Sequence, residues 1–429
     1  MKRLLPIVCA AFVATTATAQ VAPERAKAIS TTLLDHLDAG RFEQAEAMFS
    51  ESMKTAVPLD KMKAAWGSMA GAGTRGDIRL VQKNTSQIAL VPMHRGNQDW
   101  QATVSIDAQG KVEGLFIQPQ QARAPVQAVP ANAHFSEREL TVGSGADALP
   151  ATLAMPKGTG PFPGVVLVHG SGPQDRNETV GANRPFLDVA RALADQGIAV
   201  LRYEKRSKAM PEWYASHPVT IDSETTDDAV MALATLRAQP GIDKKRLFVL
   251  GHSQGAMLAP RIGQRDGQVA GLIQWSGPAR KLVEVLPEQM RFMGKTGKVP
   301  AEKTEENIRL LEAAIKMFRD PGYRGPSLMG QTADYWRSVD TVDPVKDTRA
   351  SKLPVLLLHG GRDFQVSDTD WQLWQKNLRG DKRIEMKRYP TLNHLGITGT
   401  GEPNAAEYSA PGHVDAAMIN DIVAWIKRH

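Results

Sequence analysis

A chain of 429 residues, 42% apolar and 23% charged, is long enough for two or three folded domains and lies outside the composition of disordered chains. Its formal charge of +6 is mild for that length, and basic residues are interspersed with acidic ones, which argues against a nucleic-acid groove. The single cysteine, Cys9, lies near the start, so the folded part carries no disulfide and must be held by its core.

Lys2 and Arg3 precede an apolar run from Leu4 to Ala14, and Ala17-Thr18-Ala19 supplies small residues ahead of Gln20. Residues 1–19 therefore read as a cleaved secretory signal peptide, because the run is too short to span a bilayer. Pro6-Ile7-Val8, ahead of Cys9, lacks the small residues of a lipid-attachment site. Cleavage would remove Lys2 and Arg3, taking the formal charge from +6 to +4. The expected location is periplasmic or secreted, with no stable membrane span after cleavage.

Residues 22–120 read as a small α+β domain. Ile29, Leu33 and Leu37, then Phe42, Ala45 and Phe49, recur at helical steps, with Gly40 at the corner between two helices. After Gly76, the segments DIRLVQKNTSQIALVPM, DWQATVSIDAQG and VEGLFIQP read as three strands. Gly71, Gly73 and Gly76 spell GxGxxG, but they follow a helix and precede a strand, the reverse of a dinucleotide-binding turn. Residues 121–133, rich in Pro, Gln and Ala, read as a linker.

From residue 134 to 429 strands alternate with helices. GVVLVHG, IAVLRY, RLFVLG, GLIQWSG, LPVLLLHG and RIEMKRY are short runs fit for a sheet buried on both faces. Between them lie amphipathic segments such as the one that places Phe186, Val189, Ala190 and Leu193 on one face. The last carries Ile419, Ile422, Val423 and Ile426. The order predicts an α/β fold, a mostly parallel sheet with helices on both faces. Residues 279–345 interrupt the alternation with helical stretches and read as a lid, in which Met290, Met293, Tyr335 and Trp336 are either acyl-pocket lining or simple core.

Gly251-His252-Ser253-Gln254-Gly255 fits GxSxG and sits after a buried strand and before a helix, the one context in which that pattern means a nucleophile elbow. A serine hydroxyl needs a base, and the base needs a carboxylate to fix its tautomer. Asp363 follows LLLHGGR in the loop after one strand, and His394 lies five residues past the last strand, giving the order Ser, Asp, His. Two alternatives stand: Asp363 as a loop aspartate that pairs with Arg362 or caps the following helix, and His413 as a competing base. The glycine-rich HGSGPQDRN offers backbone N–H groups for an oxyanion hole, Ser171 pairing with Gln254 and Gly172 able to replace Ser171. No Walker A loop, HExxH or paired CxxC occurs, so the expected catalysis uses no cofactor and no metal.

The run HGSGPQDRNETVGANRPFLDVARALADQGIAVLRYEKR, the elbow GHSQGAMLAPRI, HGGRDFQV and LNHLGITG together resemble a family of bacterial α/β-hydrolase esterases of the EstD type, over most of residues 134–429. Residues 24–120 resemble a small domain of unknown function joined ahead of such hydrolases. The resemblance implies the α/β-hydrolase fold with a helical lid, and a serine carboxylesterase with Ser253 as nucleophile, Asp363 as acid and His394 as base. Its partner would be a small-molecule ester, with short acyl chains expected. Related hydrolases include serine peptidases and acyl thioesterases, and a non-catalytic binding protein on the same scaffold is the reading from another class. Gln254 departs from the leucine common after the nucleophile, and Pro260 within the elbow helix is expected to kink or shorten it.

Overall fold

The computed structural model describes residues 21–67, 73–83, 85–96, 98–120, 127–297, 299–323 and 331–429. The signal peptide read at 1–19, Gly71, and the first half of the linker, 121–126, lie outside the described residues. The chain divides into two compact units, Met1–Gln120 and Gln121–His429.

The first unit packs four helices, α1 (Pro23–Asp38), α2 (Phe42–Ala47), α3 (Glu51–Ala56) and α4 (Leu59–Gly67), with an antiparallel sheet. Its strands are β1 (Gly73–Arg75), β2 (Arg79–Lys83), β3 (Ser86–Arg95), β4 (Gln98–Ile106) and β5 (Val112–Gln120). The segment DIRLVQKNTSQIALVPM is a hairpin and not one strand, since β2 folds back on β3 from Lys83↔Ser86 to Arg79↔Leu90. Alternation alone does not mark where such a run turns. Leu33, Leu34, Leu37 and Ala45 from the helices, and Phe49 between α2 and α3, meet Ala89, Val91, Ala102 and Val104 from the sheet in one core.

The second unit is an eight-stranded sheet in the order β13-β12-β11-β10-β8-β9-β7-β6. Its strands are β6 (Phe135–Val142), β7 (Leu149–Pro156), β8 (Phe162–Val168), β9 (Ala199–Tyr203), β10 (Ile242–His252), β11 (Gly271–Trp275), β12 (Val355–Gly360) and β13 (Ile384–Tyr389). From β9 to β13 every pairing is parallel, and β7 alone runs against its neighbours. The hairpin β6–β7 is absent from the sequence reading; FSERELTV is polar along much of its length and carries no buried-strand signature.

Alternation along each strand divides the core into two layers. Val165, Leu167, Val200, Phe248, Leu250, Leu356 and Leu358 face α5 (Pro185–Asp195) and the C-terminal helix, while Val166, Val168, Leu201, Val249, Leu272, Val355 and Leu357 face the other side. That other layer holds α6 (Arg206–Ala209), α7 (Pro211–Ser216), α8 (Asp227–Arg237) and α9 (Gln254–Asp266), with partly buried side chains from α6 and α7. Between β11 and β12 come α10 (Leu282–Thr296), α11 (Ala301–Arg319), α12 (Ala333–Asp340) and α13 (Pro344–Ser351); α14 (Asp368–Leu378) and α15 (Ala416–Arg428) complete the chain. Tyr335 and Trp336 are buried in the layer that includes α12, Met290 packs partly against it, and Met293 is exposed.

The strand order reverses at β8 and β10. The chain leaving β8 crosses to β9 on one side, and the chain leaving β10 crosses to β11 on the other, so a crevice opens at their carboxyl ends. Two of the loops read as catalytic from the sequence, 169–174 and 252–255, start there, while those of Asp363 and His394 follow β12 and β13.

Candidate active site

Ser253 joins β10 to α9 with φ 53° and ψ −116°, a backbone conformation that costs a non-glycine residue on the order of 1–3 kcal/mol. The surroundings dictate it. A Cβ on Gly251 would stand 2.2 Å from the Gly255 carbonyl oxygen, and one on Gly255 would stand 2.2 Å from that of Val168, so neither place accepts a side chain. The Ser253 N–H donates to the Trp275 carbonyl at 2.9 Å, tying the bend to β11. Ser253 is half-buried between the fully buried His252 and Gln254.

Of the two effects expected of Pro260, a kink or a shortened helix, the second does not occur: α9 runs on to Asp266. Proline has no N–H for the Ala256 carbonyl four residues earlier. Gln274 Nε2, reaching from β11, donates to that oxygen at 2.8 Å and so replaces the lost bond.

Asp363 and His394 are brought together by two adjacent strand ends, β12 and β13. His394 Nδ1 is 2.7 Å from Asp363 Oδ2, and Asp363 Oδ1 accepts the N–H groups of Gln365 and Val366 at 2.9 Å each. Burial raises the Asp363 carboxyl, but the His394 imidazole and these donors outweigh it and hold the group below the usual carboxylate range. A carboxylate at Nδ1 keeps the proton there and leaves Nε2 bare, the state a general base requires. Arg362 pairs with Glu407. His413 is 87% exposed and lies 3.1 Å from Asp188 on α5.

The loop after β8 approaches Ser253 closely: a Cβ on Gly170 would lie 3.3 Å from Ser253 Cβ. Gly170 N–H donates to Glu178 Oε1 at 2.6 Å. Glu178, itself at φ 51°, lies with Oε2 3.0 Å from His252 Nδ1, and His252 Nε2 is 2.9 Å from the His394 carbonyl oxygen. One buried carboxylate thus links the loop after β8, the turn at Ser253 and, through His252, the loop of His394. Burial works against the His252 imidazolium, yet Glu178 prevails and its proton is held above the ordinary value of 6.5. Ser171 and Gly172 lie exposed on this loop, and Gln254 N–H is at the first turn of α9, where a helix leaves its amides unpaired.

Glu178, Lys205 and Glu224 are the site's buried charges that sequence reasoning missed, together with His252, which stood in the motif without a role. Charged residues in polar stretches look like surface residues in a sequence. Among the described residues no group of three or more His, Cys, Asp or Glu is placed to hold a metal ion, and no helix is long and apolar enough to cross a membrane.

Residues 162–398 match the family described as serine aminopeptidase, S33. The chain is an α/β hydrolase of this family. Residues 30–115 match a second family, described as a protein of unknown function (DUF3887). The hydrolase is 34% identical over 401 residues to Esterase EstD of Thermotoga maritima, covering 92% of this chain and 93% of that one. It is 24% identical over 247 residues to the uncharacterized peptidase YtmA of Bacillus subtilis, 56% of this chain and 79% of the other. Among solved structures, the esterase Pf2001 of Pyrococcus furiosus aligns with a TM-score of 0.46 at 16% identity, over 72% of this chain and 96% of that one.

Proposed function

We propose that this hydrolase is a serine esterase that cleaves carboxylic esters with short acyl chains through an acyl-enzyme. Ser253 Oγ attacks the ester carbonyl carbon while its proton passes to His394 Nε2. The negative charge on the carbonyl oxygen is received by the N–H groups of Ser171 and Gln254. His394 returns the proton to the leaving alkoxide as the C–O bond breaks; water then attacks the acyl group by the same route and releases the acid. The observation that carries this reading is the Asp363–His394 contact of 2.7 Å, in a loop whose His394 carbonyl lies 2.9 Å from Nε2 of His252, the neighbour of the strained Ser253.

Ester cleavage is also supported by the name of the T. maritima relative. The family's description and the B. subtilis relative favour peptide cleavage instead. An aminopeptidase needs a carboxylate for the substrate ammonium. Here Glu204 is bound to Arg176 at 2.9 Å and Glu224 lies 3.5 Å from Lys205, so both charges are compensated from within. We further propose, on the sequence of residues 1–19, that the mature hydrolase works in the periplasm or outside the cell; amino-terminal sequencing of secreted protein checks this.

A fluorophosphonate probe should label Ser253, with the adduct mapped by peptide mass. Values of kcat/KM should be high on p-nitrophenyl acetate and butyrate and low on aminoacyl anilides. Absence of labelling removes the serine mechanism, and a preference for anilides makes the hydrolase a peptidase.

A further inference from the structure

Lys205 takes no part in the chemistry above, yet it lies at the carboxyl end of β9 as one of the largest fully buried side chains of the protein, 1% exposed. Burying an ammonium costs several kcal/mol unless its protons find partners. Nζ donates to the Gly170 carbonyl oxygen at 2.9 Å and to Gln254 Oε1 at 3.1 Å, and Glu224 Oε1 lies 3.5 Å away. Glu224 is set by a π-helical turn, Asp222–Thr226, and its other oxygen accepts the Tyr335 hydroxyl at 2.8 Å. Gln254 Nε2 donates to the same hydroxyl at 3.3 Å, closing a buried ring of four side chains.

Lys205 therefore touches Gln254, whose amide is one proposed oxyanion donor, and the Gly170 carbonyl, which shares a peptide with the other, the Ser171 N–H. The Gly170 carbonyl and the Ser171 N–H are opposite ends of one planar trans peptide, so a hand on the oxygen sets where the N–H points. A positive charge on that oxygen also draws density from the amide and makes its N–H a stronger donor. The preceding peptide is gripped from its other end, since Gly170 N–H donates to Glu178. Two successive peptides are thus clamped by opposite charges, a carboxylate on the N–H and an ammonium on the C=O. The second contact of Lys205 fixes the side chain of Gln254, whose own N–H is the other donor.

We infer that Lys205 is a positioning residue for the oxyanion hole: its ammonium orients and polarises the Gly170–Ser171 peptide and holds Gln254, so that both amides are aimed before charge develops. This rests on the serine-esterase reading. The rival account is that Lys205 serves only to neutralise Glu224.

Two variants separate them. Lys205→Met strands the Glu224 carboxylate, whereas Lys205→Met with Glu224→Gln removes both charges and keeps the volume. Gel filtration and circular dichroism select the folded protein, and steady-state kinetics on p-nitrophenyl butyrate are measured beside inhibition by an alkyl boronic acid, which forms a tetrahedral adduct on the serine. Losing one oxyanion donor outright lowers kcat about 10²–10³-fold, and a donor left unaimed should lower it on the order of 10–100-fold. We expect that loss in kcat in the double variant, with KM within about threefold of wild type and the boronate Ki raised by the same factor as kcat falls. A folded double variant with kcat within about threefold of wild type, or with boronate affinity unchanged, overturns the inference. Wild-type protein that fails to react with the fluorophosphonate overturns the underlying reading instead, so the two failures are told apart.

Discussion

Replacing Asp363 by Asn tests the tautomer of the base atom by atom. An amide has one oxygen, and two backbone donors compete for it: Gln365 and Val366 both donate to Oδ1, while His394 Nδ1 faces Oδ2. Turning the amide the other way would set its NH₂ against two N–H groups and forfeit two buried hydrogen bonds, each worth about 1 kcal/mol or more. The NH₂ group is therefore left facing His394, where it donates to Nδ1. The ring proton must then sit on Nε2, the nitrogen that has to be bare to accept the Ser253 proton. The same exchange in a serine protease triad lowers kcat by about 10⁴, equivalent to about 5.5 kcal/mol in the barrier. Steady-state hydrolysis of p-nitrophenyl butyrate should show a loss of that order at unchanged fold by circular dichroism. His413→Ala, measured beside it, should stay within about twofold of wild type, because its ring is 87% exposed and engaged with Asp188. A folded Asp363→Asn variant that keeps more than a tenth of wild-type kcat would refute the argument, as would a collapse of activity in His413→Ala.

Two further outcomes follow from the packing. Burial, outweighing the nearby Glu178 carboxylate, pushes the His169 imidazole down from 6.5 to about 4, so the stability it contributes is complete above pH 6.5 and is lost as pH falls from there toward 4. His169→Phe removes this proton uptake, and its stability deficit against wild type should close by about 2 kcal/mol between pH 8 and pH 5 in urea unfolding; a deficit independent of pH would contradict it. The second concerns the linker, whose second half is docked: Arg191 holds the carbonyls of Gln127 and Ala128 at 2.6 and 3.2 Å, and Ala133 packs with Phe135 and Ala194. A chain starting at Gln121 should hydrolyse short esters, and one starting at His134 should melt lower, by about 2–4 °C for each kcal/mol lost. If the first chain folds but shows no turnover, residues 22–120 complete the active site.

Local rules sufficed for part of this molecule. A strand that stops at Gly251 and restarts as a helix at Gln254 leaves one sharp turn for Ser253, and six short apolar runs separated by amphipathic segments admit little but a parallel sheet. The resemblance of HGSGPQDRN, GHSQGAML and LNHLGITG to esterases rests on equally short stretches. Where neighbours in space are distant in sequence, the same rules were silent. Polar FSERELTV gave no sign of being β6, and the hairpin of β2 and β3 read as one strand, because pairing partners and not the segment decide both. The alternative that Asp363 serves Arg362 is removed by Glu407, 45 residues on, which takes the guanidinium. Glu178, Lys205 and Glu224 looked like solvated loop charges. Only the fold, by bringing the ends of β8, β9 and β10 together and shutting out water, turned them into buried charges held by Gly170, His252, Gln254, Tyr335 and, for Lys205 and Glu224, each other. Strand spacing is a property of the local chain, whereas the desolvation that makes a charge useful exists only once distant segments have closed around it.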